Sequence, residues 1–132
     1  MKKGLIIMLA ISLSLFRLCA CGGENKTPTP QYEQISAEKA KELMDTEKEY
    51  VILDARTQEE FDEGHIKGAI MIPEYEVLNR AEKELPNKDQ LILVYCRSGR
   101  RSKIAAQALQ DLGYTNVKEF GGIIDWPYEI VK

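Results

Sequence analysis

Apolar residues in positions 32–132 fall into short blocks that alternate between two kinds of spacing. Continuous apolar runs of a few residues predict strands, and apolar residues three and four apart predict helices. Residues 32–35 predict a short, weak strand. Ser36 is placed to cap a helix over 37–45, with Ala37, Ala40, Leu43 and Met44 on one face. Residues 50–53 predict a strand that ends at Asp54. Thr57-Gln58-Glu59-Glu60 has capping-box spacing and starts a short helix through Phe61, which Gly64 stops. Residues 69–72 predict a strand closed by Pro73. Val77, Leu78, Ala81 and Leu85 then form a helical stripe that ends at Pro86.

The unbroken run Leu91-Ile92-Leu93-Val94-Tyr95 predicts the most buried strand, covered on both faces as in a parallel sheet. Ile104, Ala105, Ala108, Leu109 and Leu112 form the apolar stripe of a helix over 102–112, stopped by Gly113. Residues 117–120 predict the last strand. Gly121-Gly122 turns into a closing segment whose Trp126 is expected to pack on the core. Alternating strands and helices over about 100 residues predict a single α/β domain with a parallel sheet. Sites in such sheets lie at the carboxyl ends of the strands.

The first 31 residues have a different pattern. Lys2 and Lys3 precede an apolar stretch over 4–16, broken by Ser12 and Ser14 and short for a membrane span. Leu18-Cys19-Ala20-Cys21-Gly22 resembles the bacterial lipoprotein signal, with Cys21 as the acylated residue. An ordinary cleaved signal or an uncleaved anchor is the alternative. The expected organisation is a signal over 1–20, a lipidated Cys21 with a polar linker over 21–31, and one domain over 32–132. The chain is then expected on the extracytoplasmic side of the cell membrane, periplasmic or at the cell surface, held by its lipid.

This organisation changes the accounting of charge and thiols. The chain has 18 cationic and 21 acidic side chains, and losing Lys2, Lys3 and Arg17 takes its net charge from −3 to about −6. That balance argues against nucleic acid and against electrostatic attachment to anionic lipid. Of the three cysteines, Cys19 would leave with the signal and Cys21 would carry lipid, so Cys96 alone remains as a thiol. One His and one free Cys are too few for a metal site, and neither a metal nor another cofactor is expected.

Cys96 stands at the predicted strand-to-helix turn, in Tyr95-Cys96-Arg97-Ser98-Gly99-Arg100-Arg101-Ser102. No Asp or Glu occurs between Gln90 and Gln110, whereas Arg97, Arg100, Arg101 and Lys103 all do. The backbone N–H groups of residues 97–102 are expected to curl into an anion-binding nest, and the helix start adds partial positive charge. Both favour the thiolate, the nucleophilic form.

Four blocks carry a family resemblance. They are Asp54-Ala55-Arg56 with Glu60-Phe61, Gly64-His65-Ile66-Lys67-Gly68-Ala69 leading to Ile72-Pro73, the Cys96 loop, and Phe120-Gly121-Gly122 with Trp126. In this order and spacing they make the chain from about Ile35 to Trp126 resemble the single-domain rhodaneses, the thiosulfate sulfurtransferase family. The resemblance implies a three-layer α/β fold: a five-stranded parallel central sheet with helices on both faces. It also implies that Cys96 takes sulfur from a thiosulfate-like anion, holds it as a persulfide and passes it to a thiol or cyanide. Arg97 and Arg101 match the family's Cys-Arg-x-Gly-x-Arg pattern and are expected to bind the oxyanion. Ser98, Gly99, Arg100 and Ser102 complete the candidate substrate-binding loop. Asp54 and Arg56 are expected to brace it from behind, and His65, the only His, is expected to be structural. A membrane-tethered persulfide carrier or redox-responsive binding module is the alternative. Phosphatase or arsenate reductase chemistry is weaker, because the related phosphatase loop is Cys-x5-Arg and here that Arg position is Ser102.

Overall fold

The computed structural model describes residues 32–132. The proposed signal, Cys21 and the linker lie outside the described residues. Five strands, β1 (Glu33–Gln34), β2 (Val51–Asp54), β3 (Ile70–Met71), β4 (Ile92–Cys96) and β5 (Val117–Gly122), form one sheet in the order β1-β5-β4-β2-β3. Every pairing is parallel. Four helices lie between strands: α1 (Ala37–Thr46), α2 (Gln58–Glu63), α3 (Val77–Glu84) and α4 (Arg100–Asp111). Short 3₁₀ turns at Glu74–Glu76 and Ile123–Asp125 complete the chain.

β4 is central and buried throughout, and its side chains divide the core in two. Ile92, Val94 and Cys96 face one layer, packed with Val77, Ala81 and Leu85 of the α3 region and Ala105, Ala106 and Leu109 of α4. Leu93 and Tyr95 face the other, with Ala40 of α1, Ile66, Phe120 and Trp126. The apolar run therefore has no polar alternation, because each face meets its own helical layer.

Local signals place the helices. The Ser36 hydroxyl accepts from Lys39 N–H at the start of α1. Thr57 and Glu60 form a reciprocal capping box on α2. Two expectations need correction. Leu78 and Ile104 were assigned to buried stripes but are 57% and 44% exposed. In α3 the buried positions Val77 and Ala81 are four apart, leaving Leu78 about 100° round the helix. In α4 the small residues Ala105, Ala106 and Ala108 form the packed face and leave Ile104 at its margin. The last helix also starts at Arg100, two residues earlier than expected.

Candidate active site

β4 delivers Cys96 to the carboxyl end of the sheet, where the chain turns into α4. The turn is tight because Gly99 takes a φ of +105°, a left-handed conformation that favours glycine. It brings Gly99 N–H to 3.0 Å from Cys96 Sγ. The thiol is 1% exposed and donates to Ser102 Oγ at 3.4 Å. Burial opposes its ionisation. The Ser102 hydroxyl and the backbone N–H groups of Ser102, Gly99 and Ser98 outweigh burial and hold Cys96 below its ordinary value.

The loop residues divide by position. Arg97, Ser98 and Arg100 are exposed, and among the described residues neither Arg97 nor Arg100 forms an ion pair. Gly99 and Ser102 are buried. Ser102 is fully enclosed and its hydroxyl lies 2.6 Å from Glu119 Oε1, so it forms part of the cradle's floor. Arg101 turns away from the open side and makes two 2.7 Å hydrogen bonds to the Glu60 carboxylate. That pair holds Glu60 well below the usual carboxylate range, at about 2, with Thr57 adding two hydrogen bonds against partial burial.

The expectation of an acid-free loop is therefore corrected in space. No carboxylate lies near it in sequence, but Glu60 arrives from α2 and Glu119 from β5. Glu60 was assigned only a capping role, and it has both. Glu119 was missed. It stands between Lys118 and Phe120 in an ordinary strand pattern, and only the register of β5 against β4, with Glu119 opposite Val94, buries it.

Asp54 and Arg56 brace the site from the other face of the sheet. Arg56 Nε and Nη2 donate to Asp54 Oδ1 and Oδ2 at 2.9 and 2.7 Å, and Nη2 also reaches Gly64 O at 2.7 Å. Asp54 Oδ2 accepts from the Tyr95 hydroxyl at 2.6 Å, and that hydroxyl accepts from Ile66 N–H at 3.1 Å. This buried network clamps Tyr95, the residue before Cys96, rather than the loop itself. Burial and the Asp54 charge push the Tyr95 hydroxyl well above its ordinary value, so it stays a donor. His65 stacks on Phe61 with centroids 3.7 Å apart, its Nδ1 is 2.9 Å from Phe61 O, and its backbone pairs with Val131. Among the described residues no group of three His, Cys, Asp or Glu could hold a metal.

A parallel five-stranded sheet that presents one cysteine at the carboxyl end of its central strand, with backbone N–H groups turned toward its sulfur, defines an α/β domain with a candidate anion site. Residues 36–127 match the rhodanese-like domain family, and the chain belongs to it. It is 40% identical over 80 residues to thiosulfate sulfurtransferase PspE of Escherichia coli, covering 61% of this chain and 77% of that one. It is 40% identical over 85 residues to a sulfurtransferase of Allochromatium vinosum, covering 64% and 77%. Among solved structures, a rhodanese with anions from E. coli superimposes with a TM-score of 0.59 at 37% identity, covering 63% of this chain and 98% of that one.

Proposed function

We propose that the protein is a sulfurtransferase that takes sulfane sulfur from thiosulfate or a similar anion and carries it as a Cys96 persulfide. One observation carries this reading: Sγ sits at the floor of a nest closed by Gly99 N–H at 3.0 Å, in a six-residue loop sized for one sulfur atom. The names of the two relatives, a thiosulfate sulfurtransferase and a sulfurtransferase, support it.

The Cys96 thiolate attacks the outer sulfur of thiosulfate. The new S–S bond forms as the old one breaks, and sulfite leaves with the bonding pair. The persulfide's terminal anion then occupies the N–H nest. A thiol or cyanide attacks that outer sulfur and returns Cys96 as thiolate. Arg97 and Arg100, exposed and unpaired among the described residues, supply the positive field for the incoming anion. Arg101 is held beside the loop by Glu60 and adds its charge from a fixed position.

Incubation with thiosulfate is expected to raise the intact mass of the protein by one sulfur atom. The adduct is expected to be absent in Cys96→Ser and to be lost on addition of cyanide. No adduct with any sulfane donor overturns the reading.

A further inference from the structure

The two most exposed large apolar side chains among the described residues are Tyr75 and Ile124, at 67% and 62%. Both stand at the cysteine end of the sheet, one on each side of β4. Ala55 N–H bonds Tyr95 O at 2.9 Å, and Ala55 O accepts from Glu74 N–H at 3.1 Å, which seats the turn carrying Tyr75 beyond the end of β2. On the other side Cys96 pairs with Gly122 of β5, and Ile124 N–H reaches Arg97 O at 3.3 Å. Leu78, three residues on from Tyr75, is also exposed and shares an open groove of about 480 Å³ with Lys103 and Ile104 of α4. Exposed apolar side chains are ordinary singly, but gathered around one point they mark an interaction surface.

We propose that this rim is a docking face for a protein that accepts sulfur from Cys96, one that presents its thiol among apolar and acidic side chains. The proposal rests on the reading of Cys96 as a sulfur carrier and names the acceptor that its surroundings suit. Cys96 is only 1% exposed, so an acceptor has to bring its own sulfur down to the nest. A small thiol or cyanide does so without burying Tyr75 or Ile124. Only an acceptor wide enough to span the ends of β2, β4 and β5 covers both, and buried aromatic anchors of this kind dominate binding energy. Arg97, Arg100 and Lys103 are exposed and make no ion pair among the described residues, while Glu60 offsets Arg101. Glu74 and Asp125, beside Tyr75 and Ile124, are the acids that flank the same face. Cations predominate there in a chain whose net charge is −3, which favours an acidic partner. In the transfer the partner's thiolate attacks the outer sulfur of the persulfide. The new S–S bond forms, the bond to Cys96 Sγ breaks, and Cys96 leaves as thiolate with the bonding pair.

Thiol–disulfide exchange in the full chain tests the docking face without a sulfur donor. The probe is the peptide Glu-Leu-Cys-Leu-Glu with its sulfur bound to thionitrobenzoate. Cys96 attacks the peptide sulfur, and thionitrobenzoate leaves with the bonding pair. Mass spectrometry on the Cys96 peptide follows the adduct. The wild-type chain is expected to react about 10-fold faster with this probe than with Glu-Ser-Cys-Ser-Glu, and faster than with Lys-Leu-Cys-Leu-Lys. Tyr75→Ser combined with Ile124→Ser is expected to remove the advantage of leucine over serine and to leave the serine probe's rate unchanged. Equal rates for the leucine and serine probes in the wild type, an advantage kept in the double variant, or a preference for the lysine probe overturns the proposal. Equal slowing with both acidic probes in the double variant means a displaced loop, and overturns it too. Binding to phosphatidylglycerol vesicles, or self-association, that the double variant loses while its exchange rates stay unchanged assigns the face to lipid or to a second copy instead. Failure of thiosulfate loading with the leucine advantage intact overturns the sulfur-carrier reading and leaves the docking face standing.

Discussion

Gly122 is where the backbone of β5 comes closest to the cysteine loop. A Cβ at this position would stand 2.0 Å from Arg97 O and 2.6 Å from Ser98 Cα, both backbone atoms that cannot swing aside. Gly122→Ala is therefore expected to displace the loop, destabilise the fold by about 2–4 kcal/mol and abolish sulfur loading. Denaturant unfolding and intact mass would measure the two effects. Sulfur loading at the wild-type level would show that the loop is not held by this contact. Cys96 itself was legible in the sequence, since a thiol after an apolar run and before a basic helix start stands out. Its proton partners were not. Ser102 is part of the cysteine loop in sequence, but Glu119 carries no local signal, and only the packing of α4 on β5 makes them neighbours.

Between elements, the Arg101–Glu60 pair fastens the start of α4 to α2, joining residues 41 apart. Glu60 is depressed to about 2 in the folded chain, below its unfolded carboxylate value. The stability it contributes is thus fully present above about pH 4.5 and is lost as pH falls through 2. For a pair about a fifth exposed, that contribution is about 1 kcal/mol after solvent screening. Glu60→Gln is expected to lower stability by this amount at pH 7 and by much less at pH 2, as read by urea unfolding at both values. An equal loss at both would trace the effect to the capping box instead. The capping box was visible at sequence level because its partners are three residues apart. The ion pair was not, because nothing local links α2 to α4. Strands were found within one or two residues because continuous apolar runs survive any packing arrangement. Leu78 and Ile104 were misplaced because periodicity marks a stripe and not its width.

Across the whole molecule, covering both faces of the sheet leaves the carboxyl ends of the strands as the place where backbone N–H groups and side chains converge. β4 has a neighbour on each side and a helical layer over each face, so Cys96 is presented from the most constrained part of the fold. The Asp54–Arg56–Tyr95 network stiffens the same strand end from the opposite layer. No helix among the described residues is long and apolar enough to cross a membrane. We propose Cys21 as a membrane attachment point. Metabolic labelling with an alkyne fatty acid is expected to tag the wild-type chain and not Cys21→Ser. Label retained in that variant would exclude this anchor.

The parallel arrangement of β1 has a directional consequence. The chain enters β1 from the amino ends of the strands, and Tyr32 N–H bonds Gln110 near the far end of α4 from the cysteine loop. Tyr32, where the described residues begin, thus lies at the pole of the domain opposite Cys96. If the domain is held at that pole, as the proposed Cys21 attachment would require, Cys96 faces away from the surface, like a lamp on a stalk.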